Sequence, residues 1–483
     1  MTTSEIKVEI IHKETIKPSS PTPRHFKILK LSVFDQIASD VYVPLLFFHR
    51  HHNSSVPSAE ISNILKTSLS KTLTLFYPWA GQFQYNDSIG CNDRGAEFLE
   101  AQVNCPISKI LDNPDAHQML FKQLLPAEHM GLARAAGSGN LVLVQVSFFE
   151  RGGVAIGASI SHKVADAITG STFINTWAAF AFGSSVVSST TTGDNQEVVK
   201  FPAPKMFGVP ASLFPPLDFL NTHHPVVEYA KEKCMTRRFP LDFLNTHHPV
   251  VEYAKEKCMT RRFLFGASEI AALKSKSASS TVPNPSRIEV VSALIWKCAM
   301  EASISNSGFM KTSVWCQAVN MREILAKPLA DKYLLGSLVG LSMTKTQLDI
   351  DNQDLLTLVA LLRKGMEEFK ENFGNGISGE EAFEIFKEYG NLLRRDDIET
   401  YSCSSMCRLP FYSADFGWGK PLWVFISSAD IKNAIKFMDT RDGDGMEVIL
   451  TLKEEDLAKI ENNKELLAYS QPVQQKMRTT AKL

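Results

Sequence analysis

Apolar and polar positions along the chain fall into two rhythms. Ile6 to Ile11 alternates like an edge strand, and Phe26 to Phe34 reads as a second strand after the turn-rich stretch Lys17 to Arg24. Val41 to Phe48 is apolar and β-rich, the pattern of a buried strand. From Ser58 to Phe76 the apolar residues Ile61, Ile64, Leu65, Leu69 and Leu73 recur at helical spacing, with Pro78 as the stop. Leu141 to Phe149 and Val154 to Ile160 are two strands joined by the hairpin-like Glu150-Arg-Gly-Gly, and a helix is expected from Asp166 to Phe182. In the second half, strands are expected near Met235 to Phe239, Thr312 to Asn320 and Met446 to Leu452. Helices are expected near Ser268 to Ser275, Ile288 to Ala302, Gln353 to Phe373 and from Lys453 onward. Mixed strands and helices in two similar halves argue for layered α/β or α+β architecture.

Between the halves, Ser184 to Gly193 is a Ser/Thr run with nothing to bury, which reads as a linker. The expected division is residues 1–183, a crossover at 184–215 and a second half at 216–483. The second half opens on an oddity, because residues 216–239 recur without a change at 240–263. Solenoids need three or more stacked units and tolerate drift between them, so two identical copies read as a recent duplication or a gene-assembly error rather than a solenoid. Each copy carries one strand candidate, and one of the two is expected to be surplus and extruded as a loop, since surface insertions cost little entropy.

Composition narrows the function classes. The 483 residues exceed what one ordinary core serves, and 51 Lys plus Arg against 52 Asp plus Glu leave no general pull towards nucleic acid or an anionic membrane. The N-terminal residues lack a signal-peptide core and are not Arg-rich like a transit peptide. The longest apolar run, Phe173 to Phe182, is too short to span a bilayer and reads as a buried helix. The eight cysteines form no CxxC pair, so a reducing, cytosolic setting with free thiols is expected. No zinc set is apparent, and His51-His52, His223-His224 and His247-His248 read as solvated loop histidines. No GxSxG elbow, GxxxxGK[ST] or GxGxxG occurs.

Two motifs remain. His162 has Asp166 four residues on, between a strand and a helix, where catalytic groups are often displayed; a neutral imidazole there can take a proton. Spacing alone equally allows Asp166 to cap the helix or hold His162 in place. Near the C-terminus, Asp415-Phe-Gly-Trp-Gly419 makes a tight turn in which Asp415 bonds backbone amides, Gly417 and Gly419 supply the turn, and Trp418 anchors it.

These motifs, in this order and at this distance, resemble the plant BAHD acyltransferases. The likeness extends to Leu31-Ser-Val-Phe-Asp-Gln36, Tyr77-Pro-Trp-Ala-Gly81, Ile89-Gly-Cys-Asn-Asp-Arg-Gly-Ala96, Ser292-Ala-Leu-Ile-Trp296, Val319-Asn-Met-Arg322 and Gly443-Asp-Gly445. Within the family the wording is most similar to alkaloid O-acetyltransferases. The resemblance implies two pseudo-symmetric α/β domains with a channel between them, and His162 at mid-channel as general base. It implies acyl-CoA, most of all acetyl-CoA, as co-substrate, with no bound cofactor or metal, and an alkaloid or related hydroxyl as acceptor. Malonyl or aromatic acyl donors, and a non-catalytic metabolite-binding relative, are the alternatives. It further implies structural roles for Asp166, paired with Arg287, and for Asp415, Gly417, Trp418 and Gly419. The chain departs from the family pattern at Gln82, Leu335 and Ser337. The CoA-binding residues are not identified, and a monomer is expected.

Overall fold

A computed structural model describes residues 6–39, 41–50, 57–112, 118–126, 139–183, 204–220, 258–324, 334–346, 354–374, 376–426 and 432–472. In the first half the strands are β1 (Val8–Ile16), β2 (Ile28–Lys30), β3 (Tyr42–His49), β4 (Gln82–Tyr85), β5 (Ser88–Gly90), β6 (Ala96–Pro106), β7 (Val142–Glu150) and β8 (Val154–Ser161). In the second they are β9 (Cys258–Phe265), β10 (Thr312–Asn320), β11 (Val339–Lys345), β12 (Ile398–Ser405), β13 (Trp423–Ile426), β14 (Ala434–Asp439), β15 (Met446–Lys453) and β16 (Gln471–Pro472).

Among the described residues these strands form three sheets. The first has the order β1-β6-β7-β8-β3-β13, the second β11-β10-β12-β14-β15-β9-β16, and a small one β2-β5-β4. A central strand covered on both faces is buried at every position from Val142 to Phe149, including the polar Gln145 and Ser147. Two helices, Ser58–Leu75 and Ala167–Ala181, pack against each other over the first sheet. They share a core with Phe76, Trp79, Phe173 and Trp177, whose rings are all fully buried. The helix Arg287–Ser307 covers the second sheet, and the Trp296 indole donates to Ser313 Oγ at 2.7 Å. The apolar run after Phe173 is this kind of buried helix; no helix among the described residues is long and apolar enough to cross a membrane.

Three differences from the sequence reading are informative. Phe26 to Phe34 is not one strand: after the short β2, Ser32 and Asp35 form a reciprocal capping box that starts the helix Val33–Ile37. The division at 216 is crossed by β13, which leaves the second half and pairs antiparallel with β3 of the first sheet. Of the duplicated block, the described residues are the head of the first copy and the tail of the second, and residues 221–257 lie outside them. The head of the first copy, Pro216 to Leu220, packs against the first half: Leu217 N–H donates to Gln36 Oε1 at 2.8 Å and Leu220 is buried. The tail of the second copy, Cys258 to Phe263, supplies β9, pairing with β15 across the whole strand. The strand candidate Met235 to Phe239, the Ser/Thr run and the three paired histidines lie outside the described residues.

Candidate active site

β8 delivers the central motif. Its last residue, Ser161, pairs with Tyr42 of β3, and the His162 N–H continues that pairing to the Val41 carbonyl at 2.8 Å. The chain then turns, with Val164 N–H bonded to Ser161 O, and the helix Ala167–Ala181 begins. The imidazole sits on a rigid strand end and is half-buried.

Asp166 is the N-cap of that helix, its Oδ1 accepting from Thr169 N–H at 2.9 Å. Its Oδ2 takes Arg322 Nη1 at 2.5 Å and Leu338 N–H at 3.1 Å. Arg287, the partner that the resemblance implied, instead pairs with Asp439. The reason is position: Arg287 opens the long helix over the second sheet, while Arg322 follows β10 at the seam between the halves. The Asp166–Arg322 pair is almost wholly excluded from solvent, with side-chain exposures of 5% and 1%.

The same arginine holds the strap at 334–338. Nε donates to Leu334 O at 2.7 Å and Nη2 to Gly336 O at 3.2 Å, while Thr169 Oγ1 reaches Gly336 O at 2.8 Å. From the other side Asp35 Oδ1 accepts from Ser337 N–H at 2.7 Å, and its Oδ2 accepts from Ser32 N–H and Oγ at 2.8 and 2.6 Å. Gly336 has φ +134°, and a Cβ there would lie 3.0 Å from Asp35 Oδ1, so the close approach needs glycine. Burial raises the Asp35 carboxyl to about 6 despite these bonds.

Two carboxylates of the first half thus clamp one strap of the second, and the strap presents Ser337. Its Oγ lies 3.4 Å from His162 Nδ1, which leaves Nε2 as the nitrogen open to a substrate proton. Burial lowers the His162 pKa below its ordinary value, countered by a bond to its own backbone and by Asp166 and reinforced by the charge of Lys436. A neutral, oriented imidazole is the form a general base requires.

The second motif is built for structure. Asp415 Oδ1 accepts from both Gly417 and Gly419 N–H at 2.9 Å, and both glycines have positive φ, at +108° and +100°. Phe416 sits edge-on to Trp177 and to His49, and Trp418 stacks near Phe416. The buried His49 ring bonds the Gly419 carbonyl at 3.1 Å, and burial lowers its pKa to about 4. Leu422 N–H then reaches Phe48 O at 2.7 Å and β13 begins. The turn is therefore what splices the second half into the first sheet. It meets β3 at His49, whereas His162 lies beyond Tyr42 at the other end, roughly 23 Å away by strand rise.

Asp35, Arg322, Ser337 and Lys436 had no role assigned from sequence. The first two lie inside the segments Leu31 to Gln36 and Val319 to Arg322, but their pairing spans separations that no local pattern shows. Among the described residues, one group with metal-ligating atoms close together is found, His12, Glu14 and Glu100; Lys66 Nζ lies 2.5 Å from both carboxylates and bridges them.

Comparison with known proteins agrees with this fold. The Transferase family model matches residues 6–467. Akuammiline synthase 1 of Alstonia scholaris is 36% identical over 95% of this chain and 97% of its own length. Stemmadenine O-acetyltransferase of Catharanthus roseus is 31% identical over 94% of this chain and 96% of its own. The crystal structure of vinorine synthase superposes with a TM-score of 0.75 at 31% identity, covering 96% of this chain and 98% of that one. A match of this breadth identifies the chain as a member of the BAHD transferase family, an acyl-CoA-dependent acyltransferase.

Proposed function

We propose that the enzyme transfers an acetyl group from acetyl-CoA to a hydroxyl of an alkaloid or related plant metabolite, with His162 as general base. The observation that carries this reading is the state of His162: half-buried, neutral by virtue of its lowered pKa, and tied through Nδ1 to a clamped strap. Nε2 takes the proton as the acceptor oxygen attacks the thioester carbonyl, so no free alkoxide forms. The carbonyl π pair moves to oxygen, giving a tetrahedral anion. Collapse expels the CoA thiolate, which receives the proton from His162. A thioester is already activated, so the sequence is complete without a covalent enzyme intermediate.

The acceptor class rests on the similarity to stemmadenine O-acetyltransferase and on the breadth of that match. Thiols such as Cys91 and Cys298, raised to about 12 by burial, are inert and unpaired, which fits a reducing cytosol. We place the enzyme there, as a monomer. The test is CoA-thiol release by purified protein offered acetyl-CoA, malonyl-CoA and aromatic acyl-CoA with a panel of alkaloid alcohols. Acceptor-dependent release with acetyl-CoA, lost in His162→Ala, is expected. Release that survives His162→Ala would refute the base, and preference for another donor would refute the acetyl assignment.

A further inference from the structure

A base at Nε2 needs its lone pair there, so the proton of the neutral imidazole must sit on Nδ1. For a histidine side chain in water that is the less populated of the two neutral tautomers. A site that works through Nε2 therefore needs a fixed hydrogen-bond acceptor beside Nδ1, the part an oriented carboxylate plays for the histidine of a serine protease.

The strap at 334–338 is held in the way such a fixture requires. Three consecutive amides are each bound by a side chain of the first half. Gly336 N–H goes to Thr169 Oγ1 at 3.2 Å, Ser337 N–H to Asp35 Oδ1 at 2.7 Å and Leu338 N–H to Asp166 Oδ2 at 3.1 Å. The Gly336 carbonyl accepts from Thr169 Oγ1 and Arg322 Nη2, at 2.8 and 3.2 Å, and the Leu338 carbonyl from Met321 N–H at 3.1 Å. Ser337 is buried between these fixed points, and its Oγ stands 3.4 Å from His162 Nδ1. Across the contact, the His162 N–H is bound to the Val41 carbonyl at 2.8 Å. A rigid strand end of one half thus meets a rigid strap of the other through a single hydroxyl.

We propose that Ser337 is a positioning residue for the base: its Oγ accepts the Nδ1 proton of His162 and so holds the imidazole in the tautomer whose Nε2 lone pair faces the substrate hydroxyl. This rests on His162 being the base. The opposite polarity, with the hydroxyl donating to a bare Nδ1, would put the proton on Nε2 and leave the substrate without a base. The ring's further bond to its own backbone raises its pKa, the effect of an acceptor offered to a ring N–H. Removing the Ser337 oxygen acts on two quantities. The productive tautomer becomes less populated, which lowers turnover and leaves acetyl-CoA binding alone. The imidazolium loses an acceptor that bonds it more strongly than it bonds the neutral ring, so the His162 pKa falls further.

The test compares wild type with Ser337→Ala and with Ser337→Cys, which keeps the side-chain volume but offers a poor acceptor. One readout is kcat and KM for acetyl-CoA with the best acceptor. The other is the pH dependence of His162 carbethoxylation by diethyl pyrocarbonate, read on the His162 peptide by mass spectrometry, which needs no turnover. The charged groups near the ring and strap are Asp166 with Arg322, Asp35, Lys163 and Lys436, and they are the same in all three proteins. In both variants kcat falls about three- to tenfold, the size of one neutral hydrogen bond, while KM stays within about twofold and the carbethoxylation midpoint moves to lower pH. An unmoved midpoint overturns the proposal, because a strap that only packs leaves the ring's titration alone. A midpoint moved to higher pH overturns it too, since the hydroxyl would then be donating to Nδ1, and so does an unchanged kcat in the active enzyme. Turnover that survives His162→Ala, or a wild type silent towards every donor and acceptor, overturns the functional reading instead, and the midpoint then decides by itself whether Ser337 holds the ring's proton.

Discussion

Replacing Asp166 by Ala separates a structural from a chemical role for the motif's carboxylate. Three losses follow from the structure. The helix Ala167–Ala181 loses its N-cap bond to Thr169, worth about 1 kcal/mol. Leu338 N–H loses its acceptor in a buried setting, about 1–3 kcal/mol. Arg322, with 1% of its side chain exposed, keeps its charge without a counter-ion, and breaking such a pair costs about 3–5 kcal/mol. These overlap, since Arg322 retains the Leu334 and Gly336 carbonyls, so a net loss of about 4 kcal/mol is expected. That is a large part of a typical stability of about 5–15 kcal/mol. Urea unfolding followed by tryptophan fluorescence measures it, with His162→Ala as a control that leaves the midpoint nearly unchanged. Arg322→Met should cost a similar amount, and the double variant should be more stable than the sum of the single losses implies, because it removes the buried charge as well as its partner. Asp166→Ala that unfolds like wild type yet loses all turnover would refute this reasoning and make the carboxylate a participant in the chemistry.

Asp35 gives a pH signature of opposite sign to the usual carboxylate. Its folded pKa of about 6 exceeds the ordinary aspartate value of 3.8, so between these values the folded state binds more protons than the unfolded one and stability falls as pH rises. Relative to Asp35→Asn, wild type should lose up to about 3 kcal/mol between pH 4 and 7, measurable by paired urea titrations; a constant difference would show that the carboxyl is not so perturbed. Gly417→Ala forces a side chain into φ +108° although nothing lies within 3.4 Å of the new Cβ. A loss of about 1–2 kcal/mol is expected, with the pH dependence of kcat/KM unaltered; an altered profile would tie the turn to the chemistry. Removing residues 216–239 yields the same chain as removing 240–263, retaining both the Pro216 head and the β9 tail. Closing the shorter connection should leave stability within about 1 kcal/mol and turnover unchanged; a chain that no longer folds would mean that both copies carry essential contacts.

What could be read in advance was whatever depends on residues near one another in sequence. The helix Ser58–Leu75, the β7–β8 hairpin and the capping role of Asp166 all follow from local periodicity, turn chemistry and cap preference, and the structure has each of them. The Asp415 turn was legible for the same reason, since an aspartate two and four residues before two glycines can bond both amides. The misreadings arise where distant segments meet. Phe26 to Phe34 looks β-rich, yet Ser32 and Asp35 override the apolar pattern, and Asp35 is further recruited by Ser337, some 300 residues away. The family resemblance pointed to Arg287 as the partner of Asp166, whereas the structure pairs Asp166 with Arg322 and Arg287 with Asp439. Arg322 directly follows β10, and its contact with the N-cap of the helix after β8 links two segments 156 residues apart. The proposed base, His162, was singled out by family resemblance rather than by its four-residue spacing, and the strap and two carboxylate clamps that surround it are assembled from both halves. A site at a domain seam is legible in its parts and illegible in its pairings, because each half's sequence encodes its own strands and leaves the contacts between them to the way the two sheets meet.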